Sequence, residues 1–151
     1  MSTVCDSSPL IGLHAIGRLD ILDALFGNVI VPPAVAREIQ RFGSPAWITI
    51  VPEPRPEIAP IMRDELGAGE PDAIAPAIQL AAERIVLDDG AARAVARGHH
   101  LRVIGVLGIL LSAKQLGFIS SVRGEMEGLM AAEFHISPRV YRELLVRAGE
   151  L

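Results

Sequence analysis

Leu66-Gly67-Ala68-Gly69-Glu70-Pro71-Asp72-Ala73 opens a segment that runs through alanine-rich chain to Arg84-Ile85-Val86-Leu87-Asp88-Asp89-Gly90. In order, it reads as a glycine loop, an acidic helix start, a short apolar strand and a second acidic pair. In an α/β sheet a helix begins at the carboxyl edge of the strands and the next strand ends there, so acids at those two points meet. The segment therefore predicts an acidic site at one edge of an α/β sheet.

Upstream, Ser2 to Cys5 reads as a strand ending at Asp6, and Ser7-Ser8-Pro9 as the start of a helix reaching Ile16. Gly17 separates this from a helix over Arg18 to Phe26, whose leucines recur at helical spacing. Val29-Ile30-Val31 is a strand, Pro32-Pro33 a helix start, Ala34 to Arg41 a helix, and Trp47 to Val51 an edge strand stopped by Pro52. After a proline-rich connector over 52–56, a short helix is expected over Ile58 to Leu66. The next helix, Pro71 to Glu83, is expected to kink at Pro76.

Downstream, helices are expected over Ala91 to Arg97, Val106 to Gln115, Ser121 to Ala132 and Pro138 to Arg147. Leu101 to Gly105 supplies another strand, and Phe134 to Ile136 a short extended piece. Strands apolar on both faces and separated by helices imply a central parallel sheet between two helical layers, an α/β/α sandwich.

The 151 residues carry no composition break, which predicts one domain over 1–151. Half of the residues are hydrophobic, yet no apolar run approaches the roughly 18 residues a membrane span requires. Cys5 is the only cysteine and Met1 to Asp6 contains no leader pattern, so a cytoplasmic location is expected. Net charge is -4, with thirteen arginines and one lysine as the cations. That balance disfavours a plain phosphate-binding module, whose affinity comes from clustered cations. It suits metal-dependent chemistry on an anion, because a bound cation reverses the local charge.

Asp6 and Asp88 both follow strands, Glu70 starts the helix before the Asp88 strand, and Glu38 lies on the helix after the second strand. Four converging carboxylates raise one another's pKa, and a hard cation such as Mg²⁺ or Mn²⁺ resolves the repulsion through oxygen ligands. Each acid has a plainer use. Asp6 suits a helix cap, Glu38 a solvated helix face, Glu70 and Asp72 a helix N-terminus, and Asp88-Asp89-Gly90 a turn. Arg93 and Arg97 suit either phosphate contact or a solvated face. His99-His100 reads as an exposed turn, Cys5 as inert core, and the aromatics as too few for base-stacking platforms.

Asp6-Ser7-Ser8 with Pro9-Leu10-Ile11, Val31-Pro32-Pro33-Ala34-Val35 with Glu38, Gly69-Glu70 with Ala73-Ile74, and Leu87-Asp88-Asp89 together resemble the PIN domain, the nuclease domain of VapC-type toxins. More narrowly, the chain is similar to a bacterial and archaeal PIN subfamily that pairs Leu-Gly-x-Gly-Glu with a later Asp-Asp and a stretch like Gly105-Val106-Leu107-Gly108. The resemblance implies a metal-dependent ribonuclease hydrolysing RNA phosphodiester bonds with Mg²⁺ or Mn²⁺. Asp6, Glu70 and Asp88 or Asp89 would be metal ligands, and Glu38 would ligate or orient the water. Ser8 and Arg93 are the candidate substrate contacts. Two positions stay open, Glu70 against Asp72 and Asp88 against Asp89. A toxin role, an antitoxin partner and a homodimer are further expectations of the resemblance; a non-cleaving PIN-like RNA-binding or protein-interaction domain is the alternative. A phosphatase would need an aspartate where Ser8 stands. A phospho-receiver would need a lysine ending a strand, whereas Lys114 falls in an expected helix.

Overall fold

The computed structural model describes residues 2–43, 45–51 and 73–151. Its strands are β1 (Thr3–Cys5), β2 (Val29–Val31), β3 (Ile48–Ile50), β4 (Arg84–Val86) and β5 (Arg102–Ile104). They form one parallel sheet in the order β3-β2-β1-β4-β5, with β3 at an edge as its proline stop implied. The helices are α1 (Ser7–Ala15), α2 (Ile21–Phe26), α3 (Pro33–Ile39), α4 (Ile74–Gln79), α5 (Gly90–Gly98), α6 (Val106–Gln115), α7 (Val122–Ala131) and α8 (Pro138–Arg147).

Alternation along the central strands divides the interior into two cores. Cys5 and Val86 face one side, with Leu10, Leu13, Leu110 and Met126 from the helices. Val4 and Ile85 face the other, where α4 and α5 present Ile74, Ala75, Ala77, Ala92 and Ala96. Successive strand residues point to opposite faces, so one three-residue strand serves both layers. Alanines on the second face let α4 and α5 lie close to the sheet, while the first face is filled by larger side chains. This is the expected α/β/α sandwich.

Three local expectations change. The helix expected over Pro71 to Glu83 is α4, and Pro76 occupies its third position, where a missing N–H breaks no intrahelical bond. No kink is needed there. The helix stops because Ala81 turns left-handed at φ 51. Ala82 N–H then reaches the Ala77 carbonyl at 2.9 Å and Ala81 N–H the Ile78 carbonyl at 3.1 Å, a Schellman closure. The Arg18 to Phe26 segment is helical only from Ile21, after Gly17 reverses the chain at φ 69. Phe134 to Ile136 joins no strand and instead links α7 to α8. The expected helix over Ile58 to Leu66 lies outside the described residues.

Candidate active site

The strand order places a topological switch between β1 and β4: the chain proceeds outward from β1 in one direction and from β4 in the other. Connections leave to opposite sides there, opening a crevice at the carboxyl ends of the two strands. Cys5 is in register with Val86, and the Asp6 N–H donates to the Val86 carbonyl at 3.0 Å. Asp6 thus follows directly on one wall of the crevice, with Asp88 two residues beyond the other.

Asp6 occupies the N-cap position of α1 in extended conformation, yet its side chain makes no capping bond to that helix. The plain capping use of this residue is therefore not what fixes it. Asp88 is anchored instead, its Oδ1 accepting the Val106 N–H at 3.0 Å, so that it caps α6 from another strand. Its Oδ2 is buried with no hydrogen-bond partner. Burial raises the Asp88 carboxyl above the usual range, while the Val106 N–H and the Arg93 guanidinium pull against that rise. Cys5 records the closeness of the two acids: burial pushes its thiol up, and Asp6 and Asp88 both push it further. The thiol stays protonated and unreactive.

The acidic doublet divides its work. Asp89 is exposed and extended, and its side chain accepts the Ala92 N–H at 2.8 Å as the N-cap of α5. Ser8 is exposed on the first turn of α1, beside a hollow shared with Gly12, Glu133 and Phe134. Glu38 is exposed on α3, which packs on α1. Glu70 and Asp72 lie outside the described residues. Among those described, no three His, Cys, Asp or Glu side chains gather closely enough to hold a metal ion. What the structure brings together is the Asp6 and Asp88 pair, with Arg93 beside Asp88.

Asp88 Oδ2 supplies the test of whether a cation fits. A buried oxygen without a donor costs free energy, and a divalent cation held through oxygen ligands removes that cost. The residues present fit such an ion.

Gly105 completes the arrangement. A Cβ there would lie 2.7 Å from both Arg93 Nη1 and Asp88 Oδ1. The guanidinium can swing away, but Asp88 is short and tied to Val106. Gly105→Ala is therefore expected to dislodge Asp88, costing about 1 kcal/mol for the strained charged hydrogen bond and lowering any metal-dependent activity about tenfold. Thermal unfolding and Mn²⁺ titration of this variant check both effects.

Residues that no sequence pattern singled out also reach the site. A cleft of about 430 Å³ beside Asp88 and Arg93 is walled by Phe134, His135 and Arg147, brought there by the α7–α8 link and by α8. They lie more than forty positions from Asp88, and no spacing signals the approach.

No helix among the described residues is long and apolar enough to cross a membrane. A family model described as a PIN domain matches residues 2–150. No curated protein and no solved structure matches the chain.

Proposed function

The chain belongs to the PIN-domain family, a nuclease-type fold whose members are generally hydrolases acting on nucleic acid, and from that premise we propose that it is a Mg²⁺- or Mn²⁺-dependent endoribonuclease. The observation that carries the reading is Asp88 Oδ2, buried and without a donor at the switch point beside Asp6. Asp6 and Asp88 would hold the cation. Glu70 or Asp72, outside the described residues, is the third acid in this reading. A bound divalent cation supplies an acidified water and charge stabilisation at the transferring phosphoryl group.

The chain's own groups prepare that chemistry. The Val106 N–H fixes one Asp88 oxygen and leaves the other buried without a donor. The N-terminus of α6 favours negative charge beside it. Arg93, half-buried next to Asp88, is placed to bind and orient a phosphate. Glu38 is the candidate to orient the attacking water, and Ser8 to touch the strand beyond it. Asp89 acts here by starting α5, the helix that carries Arg93. The toxin role, the antitoxin partner and the homodimer rest on the family resemblance alone.

The test is cleavage of single-stranded RNA. Mn²⁺ or Mg²⁺ is expected to support it, and Asp6→Asn to abolish it with the circular dichroism spectrum and melting temperature unchanged. Cleavage retained by that variant would sink the proposal. Calorimetry with Mn²⁺ separates the non-cleaving alternative, since a domain with no affinity for divalent ions cannot run this chemistry.

A further inference from the structure

The cleft beside Asp88 has a composition that its acidic neighbour does not explain. Arg93 and Arg147 outnumber Asp88 among its charged walls, and Ile104, Leu107 and Phe134 give it an apolar side. Its volume of about 430 Å³ lies in the range of sites that enclose one small ligand. Arg147 also lines a second hollow on the outer face of α8, together with Arg139 and Arg142. Arg139 is bound to Glu143 at 3.2 Å. No carboxylate among the described residues lies within ion-pair range of Arg142 or Arg147. Phe134 is half-buried and held by its fold: its N–H donates to the Leu129 carbonyl at 2.9 Å after Glu133 turns left-handed at φ 69. The side of its ring lies 3.5 Å from where a Gly12 Cβ would stand.

A fixed aromatic ring, an apolar wall and two guanidinium groups suit a flat base joined to phosphates. We propose that this cleft is a nucleotide subsite for single-stranded RNA, holding one base against Phe134 while Arg147 takes the following phosphate and leads the strand out over α8. The inference rests on the nuclease reading for the identity of the strand. One ring accommodates one base, which agrees with the shortage of aromatics elsewhere in the chain.

The test is binding of a fluorescein-labelled single-stranded oligoribonucleotide in EDTA at low salt, where cleavage cannot intervene. Phe134→Leu keeps an apolar side chain and removes the ring, and is expected to weaken binding about fivefold or more. Arg147→Gln is expected to weaken it about fivefold and to reduce the slope of log affinity against log salt by about 1. Arg102→Gln, at the amino end of β5 and ion-paired to Glu83 at 3.5 Å, is expected to change nothing. Melting temperatures confirm that each variant is folded. Unchanged affinity in both cleft variants, no binding by the parent protein, or preferential capture of an oligoglutamate peptide would overturn the subsite. If the parent protein cleaves RNA but the cleft variants bind as tightly as it does, the subsite fails and the nuclease reading stands. If the expected binding pattern appears and no divalent ion elicits cleavage, the reverse holds.

Discussion

Asp88→Asn is expected to lower RNA cleavage about 10²- to 10³-fold while leaving the protein as stable as the parent, or more stable by about 1 kcal/mol. On the proposed reading the activity loss follows from removing one of the charged oxygens that would hold the cation, since metal-borne stabilisation of transition-state charge is worth several kcal/mol and each 1.36 kcal/mol is tenfold in rate. The stability result follows from the same atom. In the metal-free protein, Asp88 Oδ2 is a buried charged oxygen with no donor, and burial holds the carboxyl above its usual range. An asparagine keeps an oxygen for the Val106 N–H and removes the buried charge. A residue kept for structure would show the opposite pattern, a fall in stability with the loss of its side chain. Steady-state cleavage and metal-free thermal unfolding, measured on the same preparation, decide between the two. A large loss of stability together with retained activity would remove Asp88 from the site.

Glu150→Gln is expected to lower stability at neutral pH by about 1 to 2 kcal/mol, or about 3 to 6 °C in melting temperature, without touching the site. Glu150 closes the end of the fold. Its carboxylate accepts Lys114 Nζ at 2.9 Å, the Val122 N–H at 2.7 Å, the Arg123 N–H at 3.1 Å and the Ser121 hydroxyl at 3.0 Å. It therefore satisfies the opening turn of α7 and ties it to α6. Burial raises this carboxyl, but the Lys114 ammonium and the other donors outweigh burial and hold it at about 2, against an ordinary value of 4.5. The folded value is the lower one, so between the two values the unfolded chain binds the proton more readily. The contribution is complete above about pH 4.5 and is lost as pH falls towards about 2. With its side chain 14% exposed, solvent screens part of the interaction, hence the modest figure. Unfolding of parent and variant should differ at pH 7 and converge near pH 2. A difference that stays constant across this range would mean that the carboxylate charge is not what α7 depends on.

The sequence carried the layer architecture, because burial on both faces selects strands such as Thr3-Val4-Cys5 and Arg84-Ile85-Val86 that need no turn or partner to be recognised. Val29–Val31, Val106–Gln115 and Pro138–Arg147 appear where local signals set them: a proline pair after the strand, a glycine before one helix, and Ser137-Pro138 before the other. Where those signals conflicted, tertiary structure prevailed. Ala81 closes α4 in a left-handed conformation that its side chain disfavours, so that end is not marked in the sequence. The order of strands was equally unmarked, and it is the order that brings Asp6 beside Asp88.

For the site, the sequence by itself determined which residue types were available: acids following strands, an acidic doublet, and arginines one helical turn later. Only the tertiary structure decided how they are used. Asp88 and Asp89 are adjacent and chemically alike, yet one accepts from the first turn of α6 and the other caps α5. That difference depends on a helix that begins at Val106, too far along the chain for any local pattern to report. Phe134 and Arg147 likewise acquire their positions from the return of α8 across the sheet edge. Local propensity acts through neighbours in sequence, whereas burial and electrostatics act through neighbours in space, and a site assembled at the ends of separate strands is governed by the second.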